Sequence, residues 1–376
     1  MSQHKTKAKG TGLIYAAVIL TGMVIGLHIG NLLDGSGVGI PVFVLLLFAA
    51  LLLSLLIHTV LHELGHLVFG LISGYAFKSF RVGSLMLVRY EDEGFQLKRS
   101  SIAGTWGQCL LDPPGRYGEP FPYRLYLYGG VLFNVTFAVP VAAVSLLLPT
   151  GALTELFAMV FTLTGLLLAF VNWVPVKNAY IPNDGTNAQI LAIDRDSSRY
   201  LWAQLKIAAL NQEGVRLKNM PEAYFQAEAN NYLASSLRVF RIGRLIDAQH
   251  FVEAEAAIDE LLDDTSLVPI YRSMLELERV FIRILSDAKP ADLGVLEQKG
   301  IRQLRKAMKD FPSILRFEYA QALLLDGDTG KANTIRERFE KTCLHYPNKA
   351  DIESESELME LVAATHRKRQ GCTLYP

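Results

Sequence analysis

Four long apolar segments in the first half of the chain constrain its fold more than any other feature. A helix needs about 20 apolar residues to cross roughly 30 Å of hydrocarbon. Turn-forming residues separate the first segment from the second and the third from the fourth. The segments cover about 13–33, 40–72, 126–148 and 153–171. This pattern predicts a mainly α fold: a polytopic membrane helix bundle of about four spans, within a domain covering 13–190.

Positive charge predicts the orientation of the bundle, because short loops rich in Lys and Arg stay in the cytoplasm. The loop between the second and third segments contains such residues, and the other two short loops contain none. They are Lys78, Arg81, Arg89, Lys98, Arg99, Arg116 and Arg124. We therefore expect a multi-pass protein of the cell membrane with both termini cytoplasmic. Residues 1–12 form a basic tail before a retained anchor.

The loop at 76–120 contains β-prone runs at 80–90 and 95–97, separated by Glu91-Asp92-Glu93-Gly94, a sequence suited to a hairpin turn. A small membrane-associated β-sheet is therefore expected. It is either a plain connecting hairpin or an edge that holds an extended substrate by strand addition.

Residues 191–376 are charged, contain no further apolar span and follow helical periodicity, which predicts a soluble cytoplasmic α domain. The stretches at 251–262 and 319–344 resemble helical hairpins of the tetratricopeptide type. Such repeat surfaces commonly bind other proteins, so a cytosolic protein partner is the expectation for this domain.

Composition excludes some functions. Lys plus Arg and Asp plus Glu balance at 37 each, and no basic tract with interleaved aromatic residues occurs, which argues against nucleic-acid binding. The three cysteines, Cys109, Cys343 and Cys372, form no CxxC pair or Cys/His cluster, so reduced thiols are expected.

The second apolar segment contains the sequence His62-Glu63-Leu64-Gly65-His66. On a helix the two histidines stand one turn apart on the same face, close enough to share one zinc ion. Zinc lowers the pKa of water toward 7 while the glutamate takes the proton, which makes Glu63 the predicted general base. The alternative is a polar cluster that joins helices by hydrogen bonds.

A catalytic zinc site usually has three protein ligands. The best third candidate is Asp184 in Asn183-Asp184-Gly185, where glycine permits a tight turn; the alternative is an ordinary surface turn. His58 lies one turn before His62, and three ligands from one straight helix would surround an ion poorly, so we expect it beside the ligands or in packing. His28 is expected to be a tolerated polar residue.

Three motifs in order resemble the site-2 protease family of intramembrane zinc metalloproteases. His62, Glu63 and His66 match its HExxH motif, 129–134 resembles its glycine-then-Asn segment, and Asn172 through Pro175 to Asp184-Gly185 resembles its Asn-Pro-Asp-Gly stretch. The resemblance covers about 40–190. Residues 177–181 lengthen the last motif, and no PDZ-like insert is evident.

The resemblance implies one zinc ion per chain on His62, His66 and Asp184, with Glu63 as base. It also implies that Asn134 helps to hold the substrate or the developing oxyanion. The alternative for Asn134 is a hydrogen bond between helices. The implied reaction is hydrolysis of peptide bonds in membrane proteins or membrane-associated peptides, in or near the lipid bilayer, as in regulated intramembrane proteolysis.

Two other functions remain open at this stage. One is a catalytically inactive, membrane-anchored scaffold that acts through its helical domain. The other is a metal transporter, because ionisable residues in membrane spans also line ion pathways; the lack of an evident internal repeat argues against it.

Overall fold

The computed structural model describes residues 3–100, 105–176, 182–286 and 293–372. These residues form mainly helices, with one small sheet. The helices are α1 (Gln3–Ser36), α2 (Ile40–Ile72), α3 (Tyr123–Leu147), α4 (Ala152–Trp173), α5 (Asp184–Ile193), α6 (Ser198–Gln212), α7 (Tyr232–Asp247), α8 (Phe251–Leu262), α9 (Pro269–Leu285), α10 (Lys299–Ala307), α11 (Pro312–Ala320), α12 (Thr329–Cys343) and α13 (Lys349–Cys372). The strands are β1 (Ala76–Val82), β2 (Leu85–Tyr90), β3 (Gly94–Arg99) and β4 (Gly107–Asp112).

The four predicted apolar segments all form long helices, which confirms the coarse prediction. Within the described ranges, four helices are long and apolar enough to cross a membrane: α2, α3, α4 and the part of α1 over Thr11–Ser36. Helix α1 begins earlier than predicted, at Gln3, so helix continues into the tail. Helix α2 begins at Ile40 with Pro41 in its first turn, where a missing backbone N–H costs nothing.

The chain divides into two compact units. The first comprises 1–77, 107–109 and 122–195, and the second comprises 78–106, 110–121 and 196–376. Much of the sheet, which the sequence analysis placed with the membrane domain, therefore groups with the helical unit. In the first unit α2 packs against α3 and α4, and α1 packs against α4. A buried cluster that includes Phe43, Leu156 and Val160 joins α2 to α4.

Helices α2 and α3 approach each other most closely at two glycines. A Cβ atom added to Gly65 would lie 2.2 Å from the carbonyl oxygen of Gly129. In the reverse direction, a Cβ atom added to Gly129 would lie 2.4 Å from the carbonyl oxygen of Gly65. Small residues allow such backbone contact between apolar helices, where van der Waals packing replaces the hydrophobic effect. The two helices are therefore held at a separation that no larger residue permits.

We predict that Gly65→Ala destabilises the first unit, called the membrane unit below because it contains the four apolar helices, since the new methyl group must displace backbone atoms of α3. Overpacking of this kind costs about 1–3 kcal/mol. Thermal unfolding in detergent measures the effect. Gly22→Ala in α1 is the matched control, since nothing lies within 4 Å of a Cβ at that position. Equal unfolding temperatures for the two variants would contradict the close contact.

The sheet has the strand order β3-β2-β1-β4. Strands β1 and β2 pair antiparallel, as do β2 and β3. The predicted turn at 91–94 is confirmed, since β2 ends at Tyr90 and pairs with Gly94 at the start of β3. The predicted run at 80–90 forms two strands rather than one, because Gly83 adopts a φ of 60° and reverses the chain.

Helices α6 to α13 form the rest of the second unit. Consecutive helices from α6 to α10 pack on each other, α11 packs on α9 and α12, and α13 packs on α11 and α6. The stretch 251–262 is one helix, α8, and 319–344 covers the end of α11, a π-helical turn over Gln321–Leu325, and α12. The tetratricopeptide-like repeat stays a prediction.

One arginine is buried at the centre of this unit. The Arg316 guanidinium lies 3.9 Å from the ring centroid of Phe281 and is 1% exposed. It donates hydrogen bonds to Glu278 on α9 and Glu355 on α13, both at 2.6 Å. Three helices therefore meet at one charge, which must stay paired because an isolated buried charge is costly.

We predict that Arg316→Met destabilises α9, α11 and α13 together. Breaking a buried ion pair by removing one partner costs about 3–5 kcal/mol, because the carboxylates left behind have no countercharge. Hydrogen exchange of the full chain in detergent should show faster exchange in these three helices. The matched control is Arg338→Met, whose partner Asp310 is 58% exposed. A surface pair contributes at most about 1 kcal/mol, and similar exchange in both variants would contradict the prediction.

Candidate metal centre

Two histidines of α2 supply the first part of the site. His62 and His66 lie one helical turn apart, and their Nε2 atoms are 3.2 Å apart. The ring centroids are 4.8 Å apart and the ring planes are nearly perpendicular, at 83°. Their side chains are only 12% and 9% exposed. Both rings therefore direct one nitrogen to the same small, sheltered volume, as the spacing predicted.

Asp184, the first residue of α5, supplies the third atom. Its Oδ2 lies 3.1 Å from His62 Nε2 and 3.3 Å from His66 Nε2. Two ligand atoms at about 2.05 Å from a tetrahedral ion are separated by roughly 3.3 Å. The three atoms thus have the mutual separations of three corners of such a tetrahedron. Among the described residues, this is the group of His, Cys, Asp and Glu that could hold a metal ion.

Asn183 fixes the position of Asp184. Its Oδ1 accepts a hydrogen bond from Thr186 N at 3.0 Å and caps α5, which satisfies a backbone N–H of the first turn. Its Nδ2 donates to the carbonyl oxygens of Val171 and Val174, both at 2.7 Å. One side chain therefore joins the start of α5 to the end of α4.

Gly185 permits this junction. A Cβ atom at this position would lie 2.0 Å from the carbonyl oxygen of Trp173, so a larger residue would push α5 away from α4. The Asp-Gly pair thus has a steric basis beyond the turn predicted from sequence. The backbone at Asp184 is thus held by the Asn183 cap before it and by the close contact of Gly185 with Trp173 after it.

A backbone carbonyl sets the tautomer of His66. Its Nδ1 lies 2.7 Å from the carbonyl oxygen of Tyr126 on α3, and since a carbonyl can only accept, Nδ1 carries the hydrogen. In the neutral ring Nε2 then has a lone pair facing the group. Partners of this kind orient metal-binding histidines and increase their basicity. Nδ1 of His62 is buried without a partner among the described residues.

The electrostatics favour an ionised carboxylate. Burial alone would raise the pKa of Asp184, but the positive charge of His66 in its protonated form and the hydrogen bonds from both histidines hold it well below its usual range. A carboxylate that stays ionised at neutral pH is the form that binds a cation.

Glu63 lies on α2 between the two histidines and is 9% exposed. A Cβ atom added to Gly107, at the start of β4, would lie 2.5 Å from its Oε1. The absence of a side chain at Gly107 therefore leaves room for the Glu63 carboxylate. Gly130 does the same for His62, because a Cβ there would lie 2.4 Å from the imidazole.

Asn134 lies one turn beyond Gly130 on α3 and is fully buried. Its side-chain amide lies 3.2 Å from Nδ1 of His58, whose Nε2 donates to the carbonyl oxygen of Phe161 on α4 at 3.0 Å. Because Nε2 of the neutral ring carries the hydrogen, Nδ1 accepts from the amide NH2 group of Asn134. His58 therefore bridges three helices, in keeping with the expectation that it lies outside the ligand set.

The remaining candidates lie away from this group. His28 is exposed, and its ring nitrogen lies 3.0 Å from the carbonyl oxygen of Val24 in its own helix. Residues 177–181, which lengthen the last motif, lie outside the described residues.

Comparison of the chain with protein-family models, with curated proteins and with solved structures gives no match.

Sequence reasoning missed three contributions: the cap by Asn183, the Tyr126 carbonyl and the space at Gly107. Only the first had a local signal, because Asn directly before a helix with Asp in its first turn is a typical N-cap. A carbonyl partner and a missing side chain on a distant strand have no signature in sequence.

If this group holds zinc, Asn183→Ala should weaken zinc binding by the full chain about 10–100-fold, as is typical when a residue that orients a metal ligand is removed. Competition with a chromophoric chelator measures the affinity. The matched control is Asn231→Ala, which removes the same kind of cap from α7 and should leave zinc affinity unchanged. Unchanged affinity in Asn183→Ala would show that Asp184 is held by other means or does not bind zinc.

Proposed function

We propose that this chain is a zinc metalloendopeptidase of the membrane, similar to site-2 proteases, which hydrolyses peptide bonds of membrane-associated substrates in or near the bilayer. The observation that carries the proposal is the set of separations of 3.1–3.3 Å among His62 Nε2, His66 Nε2 and Asp184 Oδ2. Two imidazoles and one carboxylate are a donor set typical of catalytic zinc.

The position of the group within apolar helices supports the same conclusion. His62, Glu63 and His66 belong to a helix of mean hydropathy 3.0 over its most apolar window. Ionisable groups in such helices are costly and are usually retained for function. The sheltered position also reduces the effective dielectric, which strengthens the electrostatic interactions of the site.

Zinc, when bound, would supply Lewis acidity by lowering the pKa of water and polarising the substrate carbonyl. His66 is held by the Tyr126 carbonyl, so its Nε2 lone pair is directed before any ion binds. Glu63 would take a proton from the attacking water and deliver it to the leaving amine nitrogen. Asn134 is fully buried and paired with His58, which supports the alternative of a hydrogen bond between helices, and Gly107 leaves room beside Glu63.

The helical unit would provide the regulation. Its helices lie after the last apolar span, and by the distribution of positive charge they are cytoplasmic in the proposed topology. A packed array of helices offers an extended surface for a protein partner. A protein partner bound to this surface would either promote or inhibit cleavage of the substrate.

The decisive experiment compares wild type with Glu63→Gln for zinc content and for cleavage of a panel of tagged single-span membrane proteins. We expect about one zinc per chain in both. Cleavage should fall about 10²–10⁴-fold in the variant, because removal of a general base costs that much. The control Glu155→Gln changes an exposed glutamate at the start of α4 and should keep activity.

Two outcomes would contradict the proposal. If wild type binds no zinc, His62, His66 and Asp184 do not form a zinc site, and a membrane-anchored scaffold acting through the helical unit becomes the better explanation. If zinc is bound but Glu63→Gln cleaves as wild type does, Glu63 is not the base.

A further inference from the structure

His58 is a buried polar side chain that the proposed chemistry does not use. It lies in α2 one turn before His62, and none of it is exposed. An ionisable residue in an apolar helix is costly and is usually retained for a purpose. Two roles fit such a residue: it joins the helices, or it positions another part of the site.

Helix α4 is shaped to receive the His58 ring. Nε2 of His58 donates to the carbonyl oxygen of Phe161 at 3.0 Å, and the two ring centroids are 4.2 Å apart. One turn further along α4, a Cβ atom added to Gly165 would lie 2.3 Å from Cε1 and 2.5 Å from Nε2 of His58. The missing side chain at Gly165 therefore provides the space that the imidazole occupies.

These contacts restrict the position of α4 more tightly than apolar packing does. A hydrogen bond has a preferred length and angle, whereas the burial of apolar surface has no preferred direction. Between apolar helices, hydrogen bonds and close packing at small residues are also the forces that favour association. His58 therefore sets where α4 stands relative to α2, the helix that carries His62 and His66.

The far end of α4 holds the third candidate ligand. Asn183 donates hydrogen bonds to two carbonyl oxygens at the end of this helix, both at 2.7 Å. The first acceptor, Val171, lies about 15 Å along the helix from Phe161, at a rise of 1.5 Å per residue. Helix α4 is continuous between these two points. A tilt or slide of α4 at Phe161 therefore moves Asp184 as well.

A metal site tolerates little displacement of a ligand. Ligand atoms lie within about 0.2 Å of their ideal distances from the ion. His62 and His66 keep their spacing whatever α4 does, because both belong to α2. The position of Asp184 is the one that depends on α4.

From this geometry we propose that His58 is a positioning residue for the third metal ligand. Through its contacts with α4 it holds Asp184 opposite His62 and His66, and it touches neither the ion nor the substrate. The inference rests on the proposed zinc site and extends it to a residue outside the ligand set.

Metal binding by the purified full chain in detergent tests this role without an activity assay. Zinc affinity is measured by competition with a chromophoric chelator. Titration with Co²⁺ gives a second measurement, because the visible absorption of this ion reports its coordination geometry. Each variant is measured on the fraction that elutes as the wild-type chain does on gel filtration.

Three variants change the contact between His58 and α4. His58→Leu removes the hydrogen bond, and His58→Gln keeps an amide nitrogen near the position of Nε2 that can still donate to Phe161. Gly165→Ala fills the space for the ring from the side of α4. The matched controls are His28→Leu, at an exposed histidine of α1, and Gly151→Ala, where nothing lies within 4 Å of a Cβ atom.

We expect zinc affinity to fall about 10–100-fold in His58→Leu and in Gly165→Ala, as for other residues that orient a metal ligand. The intense absorption of tetrahedral Co²⁺ should weaken in both variants, because a displaced carboxylate leaves its place to water. His58→Gln and the two controls should bind both metals as wild type does.

A purely structural role of His58 predicts a different result. His58→Leu would then lower the unfolding temperature but keep the zinc affinity and the Co²⁺ spectrum of the wild type, which would overturn the proposal. An equal loss of affinity in His58→Gln would also overturn it, because the bond to α4 would not be the cause. If His58→Leu does not fold, Gly165→Ala decides by the same criteria. A wild-type chain that binds no zinc would overturn the proposed function together with this inference, whereas the other outcomes concern His58 alone.

Discussion

The backbone contact between Gly65 and Gly129 is the constraint on which the site depends. It lies inside the HExxH sequence, between Glu63 and His66, so the helix that provides two imidazoles is pressed against α3 at that point. The same approach brings the His66 ring to the Tyr126 carbonyl. If α2 and α3 stood further apart, both histidines would keep their helical spacing but lose the contacts that orient them.

The third member of the group depends on a different junction. Asp184 begins a short helix, and its place is set by the end of α4 through Asn183 and Gly185. The candidate ligands therefore come from two separately fixed elements. Helix α4 also packs on α2 and α3. The packing of these three helices therefore fixes the positions of the three donor atoms relative to one another.

In both units, buried polar side chains form hydrogen bonds with partners on neighbouring helices. In the helical unit Arg316 is surrounded by two carboxylates and an aromatic face. In the membrane unit His58 is bonded to Asn134 and to the Phe161 carbonyl. A buried donor without a partner is costly, which makes the unpartnered Nδ1 of His62 notable among the described residues. His62 lies in the helix that carries two of the candidate ligands.

The sequence by itself determined the apolar helices, the hairpin at 91–94 and the shared face of His62 and His66, because hydrophobic runs, turn residues and helical spacing are local properties. It offered Asp184 as the best third candidate, which the resemblance then favoured, but His62 and Asp184 are 122 residues apart, and no local pattern shows that two such residues meet. Only the tertiary structure decided that His62 and Asp184 meet and that Asn134 pairs with His58. Those outcomes depend on how closely helices and strands pack, which steric contact at a few glycines controls.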